Sequence, residues 1–120
     1  MNSSVGKKTA GMGHHVVVNL FGCKAEILKK VEPVKAKLNE VVSESRLNKI
    51  GETWYQFKPH GVTGVILLSE SHISIHTWPE KGSAAVDIFC CAGKPTAEKA
   101  YNILIEKFKP ETHHKKFVKR

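Results

Sequence analysis

The chain has 120 residues, 41% hydrophobic and 25% charged, which supports one domain with a modest core and is too short for two. A net charge of +8 suggests a polyanion partner, but residues 107–120 hold six Lys/Arg against Glu111 alone, so +5 of the excess reads as a solvated, frayed end and not as a nucleic-acid surface. No apolar run reaches the roughly 18 residues that span a bilayer, and no apolar stretch follows the first charges, which excludes a membrane or secretory reading and leaves a cytoplasmic one.

In chain order, residues 1–13 carry Gly6, Gly11 and Gly13 with no periodicity and read as a flexible leader. A single domain is expected over 14–110, followed by a basic tail over 111–120. His15 to Leu20 is β-branched and strand-like, ended by Gly22. From Lys24, the residues Ile27, Val31, Val34, Leu38, Val41 and Val42 recur at helical spacing. Pro33 interrupts that stripe and predicts a short turn followed by a longer helix starting near Glu32. Thr53 to Lys58 alternates as a strand and closes at Pro59, His60 and Gly61. Hairpin-linked strands follow over Val62 to Ser69, Ile73 to Trp78 and Ala84 to Cys90, with Glu70, Ser71 and His72 at a junction. Ala97, Ala100, Tyr101, Leu104 and Phe108 then mark a second helix that stops before Pro110. This order predicts an α+β two-layer sandwich, a mainly antiparallel sheet with two helices on one face. The other face is left for a ligand or a second subunit, since a domain of this size buries under about 70% of its unfolded surface.

Three cysteines, at 23, 90 and 91, make no disulfide framework and fit a reducing compartment. On one strand Cys90 and Cys91 point to opposite faces, which gives them different roles. The histidines form no metal signature: there is no Cys-x-x-Cys and no His-Glu-x-x-His, although His72 and His76 share a strand face, and no metal is expected. Isolated Gly61, Gly64 and Gly82 make no phosphate loop. What stands out is the polar content of an apolar strand pair: Ser69, Glu70, Ser71, His72, Ser74 and His76, then Cys91 on a neighbouring strand. Alternation alone permits a solvent-facing row of His72, Ser74 and His76. An acid-base or nucleophilic reading needs the fold to bring Ser71, His76 and Cys91 together.

The segment PHGVTGVILLSESHISIHTWPEKGSAAVDIFCC, residues 59–91, closely resembles the short-chain prokaryotic S-adenosylmethionine decarboxylases, pyruvoyl enzymes of polyamine synthesis. The likeness extends in weaker form to HVVVNLFGC at 15–23 and to the last helix. It implies a proenzyme that cuts itself between Glu70 and Ser71, leaving residue 71 as a pyruvoyl group. That group would bind the substrate amine as a Schiff base and serve as the only cofactor, an electron sink in the role pyridoxal phosphate fills elsewhere. Only a β-hydroxyl or thiol can both attack the preceding carbonyl and later leave, which is why serine stands there. The resemblance makes His76 the proton-handling residue in processing and Cys91 the proton donor in catalysis. It puts Phe57 against the adenine and makes Trp78 and Glu80 candidate substrate contacts. It also implies a homodimer of cleaved protomers with S-adenosylmethionine as substrate, whose product donates aminopropyl groups to spermidine. Two positions depart from the family pattern: Thr63 stands in GVTGV where GVSGV is usual, keeping the processing-assisting hydroxyl on a stiffer, β-branched side chain, and Cys90 replaces a common Thr and reads as core filling. Arginine and ornithine decarboxylases on the same scaffold share the processing motif, so the substrate stays open among the three at this stage, as does an unprocessed, non-catalytic regulatory homologue.

Overall fold

The computed structural model describes residues 11–120, so most of the expected leader lies outside the described residues. β1 (His14–Phe21) leads into a four-residue α1 (Ala25–Leu28) and α2 (Val31–Glu44). A meander follows: β2 (Lys49–Gln56), β3 (Val62–Leu68), β4 (Ser71–Trp78), a 3-10 turn (Pro79–Lys81) and β5 (Ser83–Cys90). The chain closes with α3 (Lys94–Phe108) and β6 (Thr112–Lys119). The six strands form one sheet in the order β2-β3-β4-β5-β1-β6, every neighbouring pair antiparallel.

Pro33 divides α1 from α2 as expected, because in the first turn of α2 its missing N–H has no intrahelical partner to lose. α2 buries Val34, Leu38, Val41 and Val42, and α3 buries Ala97, Ala100, Tyr101, Leu104 and Phe108. Both helices lie on the sheet face that carries Val16, Val18, Leu20, Ile66, Ile73, Ile75, Val86 and Ile88, all buried. Each such side chain taken from water contributes about 1.5–3 kcal/mol, and one core holds both layers together. Lys107 bridges the helices outside that core, 2.8 Å from Glu44 and 3.3 Å from Glu40.

The basic chain end is not the frayed tail that its composition suggests. Residues 112–119 are the edge strand β6, in register with β1 from Thr112 opposite Phe21 to Lys119 opposite His14. Phe117 packs against the core, His113 hydrogen-bonds the Tyr101 hydroxyl, and the Lys115 ammonium lies 4.4 Å from the Tyr101 ring centre. Lysines suit an edge, where charge discourages a further strand from pairing.

The opposite sheet face is uncovered. Cross-strand register places Tyr55 beside Thr63 and His76, Leu67 beside His72 and Phe89, and Asp87 beside Ser74 and Val17. Phe21, Tyr55, Leu67 and Trp78 are exposed there. Among the described residues no helix is long and apolar enough to cross a membrane.

Candidate functional site

The turn Ser69–Glu70 joins β3 to β4 and delivers Ser71 as the first residue of β4, opposite Leu68. β5 runs beside β4 and ends at Cys90, so Cys91 emerges just past the strand end next to that turn. Cys90 is buried, where desolvation raises its thiol pKa, and Cys91 is exposed, the two-faced arrangement expected of adjacent strand residues. The Cys91 N–H donates to the Ser71 hydroxyl at 3.2 Å, and that hydroxyl lies 3.7 Å from the Cys91 sulfur. The thiol in turn donates to the Glu70 carboxylate at 3.3 Å. Glu70, Ser71 and Cys91 therefore form one contiguous group, beside a cavity of about 160 Å³ that Arg46 and Asn48 also line.

His76 and Thr63 occupy the other end of the same hairpin. They are cross-strand partners, with Thr63 Oγ1 and His76 Nδ1 2.9 Å apart in a hydrogen bond whose direction follows the imidazole tautomer. Thr63 thus reaches a partner despite its β-branch. A cavity of about 350 Å³ opens here, lined by Phe57, His60, Thr63, His76, Trp78 and Glu80 among others. The His76 and Trp78 rings lie 6.4 Å apart, tilted by 40°. A buried Thr77 fixes this end from beneath: its hydroxyl accepts the Val62 N–H and donates to the Leu28 carbonyl, each at 2.9 Å.

The two groups do not meet within one chain. Ser71 and His76 are five residues apart on β4, about 16 Å along an extended strand. The row of His72, Ser74 and His76 does lie on the uncovered face. Ser74 donates to Asp87, 3.5 Å away, and the carboxylate also pairs with His15 at 3.3 Å.

Sequence reading missed Arg46 and Asn48 near Ser71, and Lys58 and His60 at the aromatic end. Arg46 and Asn48 lie in the loop after α2, more than twenty residues before the turn, and carry no local signal; Asn48 reaches it by donating to the Ser69 hydroxyl at 2.6 Å. His60 lies inside the quoted segment, where its sequence context reads only as a turn. Among the described residues no group of three or more His, Cys, Asp or Glu is placed to hold a metal ion.

A family model described as S-adenosylmethionine decarboxylase matches residues 14–120. An S-adenosylmethionine decarboxylase proenzyme of Archaeoglobus fulgidus is 47% identical over 102 residues, covering 85% of this chain and 91% of the relative. One from Sulfurihydrogenibium is 46% identical over 114 residues, covering 95% and 84%. The crystal structure of the adenosylmethionine decarboxylase of Aquifex aeolicus superposes with a TM-score of 0.89 at 38% identity, covering 93% of this chain and 92% of that one. A Trypanosoma brucei structure, with a TM-score of 0.66 at 18% identity, shares the fold.

Proposed function

The chain belongs to the S-adenosylmethionine decarboxylase family, and on that premise we propose that it is a proenzyme which cuts itself between Glu70 and Ser71 and then decarboxylates S-adenosylmethionine. The observation that carries this reading is the group at the β3–β4 turn, where the Ser71 hydroxyl, the exposed Cys91 thiol and the Glu70 carboxylate are joined by hydrogen bonds on the two residues that flank the proposed cleavage site.

In processing, Ser71 Oγ attacks the Glu70 carbonyl carbon, a C–O bond forms as the C–N bond breaks, and the amine of residue 71 is released within an ester. Loss of the residue 71 α-proton then expels the Glu70 carboxylate from Cβ, and water displaces ammonia from the dehydroalanine that remains. The products are chains of 70 and 50 residues, the second opening with a pyruvoyl group. The Cys91 N–H on Ser71 Oγ orients the hydroxyl for this attack.

The residues present fit such a group, because position 71 is a serine at an exposed turn with a proton donor beside it. A pyruvoyl carbonyl supplies an acceptor for the substrate amine and a sink for the electrons left by CO2. Cys91 stands where it can return a proton to the substrate carbon. The contact of its thiol to Glu70 is a donated hydrogen bond. Phe57 and Trp78 offer flat apolar surfaces to the adenine, and Glu80 offers acceptors to hydroxyl groups at the cavity rim.

His76 and Thr63 serve Ser71 of a second copy. The intrachain separation of about 16 Å prevents His76 from reaching its own Ser71, and the uncovered face with Phe21, Tyr55, Leu67 and Trp78 supplies apolar area for a homodimer. The enzyme then acts in the cytoplasm, making an aminopropyl donor for polyamines. Intact mass and CO2 release from carboxyl-labelled S-adenosylmethionine, arginine and ornithine test the proposal. Two chains and release from the first substrate are expected; a persistent 13.3 kDa species, or release from the other two alone, overturns it.

A further inference from the structure

The loop that walls the larger cavity is held from the far side of the sheet by one side chain. Gln56 is the last residue of β2 and turns towards the helices, while Phe57 rises on the open face, its ring 4.9 Å from that of Tyr55. The Gln56 amide nitrogen faces the carbonyls of Lys29 at 2.8 Å, Gly61 at 3.0 Å and Phe57 at 3.1 Å. Its Oε1 accepts the N–H of Val31, the first residue of α2, at 2.8 Å. The Gly61 N–H donates to the same Lys29 carbonyl at 3.0 Å, and the Phe57 N–H donates to the Gly61 carbonyl at 2.8 Å. One uncharged amide thus ties both ends of the loop 57–61 to the junction of α1 and α2. Gly61 completes the turn at φ +121°, a backbone conformation that other residues rarely adopt.

No other side chain has this arrangement's chemistry at the same length: two amide hydrogens shared by carbonyls, and an acceptor for a helix N–H. Gln56 itself lies beneath the sheet and outside the cavity lining. Its effect on a bound molecule therefore passes through the loop, which sets how far Phe57 stands from Trp78 and Glu80 across the cavity.

We propose that Gln56 is a positioning residue for the substrate, holding the loop 57–61 so that the slot between Phe57 and Trp78 fits the adenosine half of S-adenosylmethionine. This rests on the decarboxylase reading above. Gln56→Glu keeps the length and the acceptor for Val31 but turns the donor into an acceptor aimed at three carbonyls; Gln56→Met keeps the length and removes both functions. In processed enzyme both variants are expected to raise KM for S-adenosylmethionine about tenfold with kcat within about twofold, because loop hydrogen bonds are lost while Cys91 is untouched. Inhibition by adenosine is expected to weaken by the same factor. A merely structural role lowers the melting temperature and leaves KM and adenosine inhibition as in the parent, and that result, or a loss confined to kcat, overturns the inference. If Gln56→Met does not fold, Gln56→Asn, one methylene shorter with the same chemistry, is expected to give an intermediate KM, and a parental KM there overturns the inference equally. A parent enzyme that releases no CO2 from S-adenosylmethionine overturns the functional reading instead, before any variant is compared.

Discussion

The two ends of the β3–β4 hairpin carry opposite kinds of chemistry. At the turn end, Glu70, Ser71 and Cys91 border a cavity of about 160 Å³ with no aromatic side chain in its lining. At the other end, Phe57, Trp78, His76 and Glu80 line about 350 Å³ with flat rings and a titratable pair, yet no nucleophilic thiol or serine is among them. On the proposed reading the first breaks a peptide bond and hands over a proton, and the second recognises a heterocycle. Strand geometry keeps them about 16 Å apart, so on the proposed reading a single chain holds two halves of a site. In the homodimer proposed above, a second copy laid over the uncovered face, reversed in direction, would join the turn end of one chain to the aromatic end of the other.

The sharpest way to break this comparison is to disable one end per chain. Ser71→Ala alone and His76→Ala alone are each expected to remain intact at 13.3 kDa. Co-expressed, they recreate one complete site in the mixed dimer, built from Ser71 of one chain and His76 of the other. Mass spectrometry should then find the His76→Ala chain cut after Glu70 while the Ser71→Ala chain stays whole. Failure of this rescue, with mixed dimers present, means that each chain works with its own two ends. A smaller effect is expected from Cys91→Ala: cleavage proceeds, and decarboxylation falls by about 100-fold or more, the scale of a lost general acid. If cleavage stops instead, Cys91 belongs to processing and the turn end has a single task.

Much of this was legible in the sequence, for identifiable reasons. The stripe Val34, Leu38, Val41, Val42 is a helical period that tertiary packing had no cause to override, and Pro33 marked its start. The separation of Ser71 from His76 was also latent, because the two residues stand five positions apart on one strand. β6 was not legible: His113, His114, Lys115 and Lys116 look solvated, and only pairing with β1, more than ninety residues earlier, gives them a structure. The start of β2 was hidden similarly, since Lys49, Ile50, Gly51 and Glu52 do not alternate and the register slips between Lys49 and Gly51. The roles proposed for Ser71 and Cys91 rest on resemblance to a family; their polar setting stood out in the sequence, but spacing by itself showed no contact between them.

Gly64 tests whether the aromatic end depends on its own scaffold. It faces the helices beside Thr63 and pairs with Trp54 across the β2–β3 ladder, and a Cβ built there would lie only 2.1 Å from the nearest indole carbon. Gly64→Ala must push Trp54 aside, and overpacking of this kind costs about 1–3 kcal/mol. Urea denaturation should show a lower midpoint with an unchanged slope. The turn end, four strand positions away, should keep the reactivity of Cys91 towards a thiol reagent. Equal loss at both ends would show that they are not independent.

The smallest effect belongs to Glu52, which anchors the same scaffold. Hydrogen bonds from Asn39, Trp54 and Lys49 hold its carboxyl down from the usual 4.5 to about 2. A carboxyl depressed in the folded state stabilises the protein above its unfolded value and loses that contribution as pH falls through the folded one. The window is therefore about pH 4.5 down to about 2. Because the group is near solvent, the contribution is small. Glu52→Gln should be less stable than the parent at pH 7, with the difference closing as the solution approaches pH 2. Urea midpoints taken at pH 7, 4 and 2.5 would show it, and a gap that stays constant across that range would mean that the Asn39, Trp54 and Lys49 contacts do not depend on the charge.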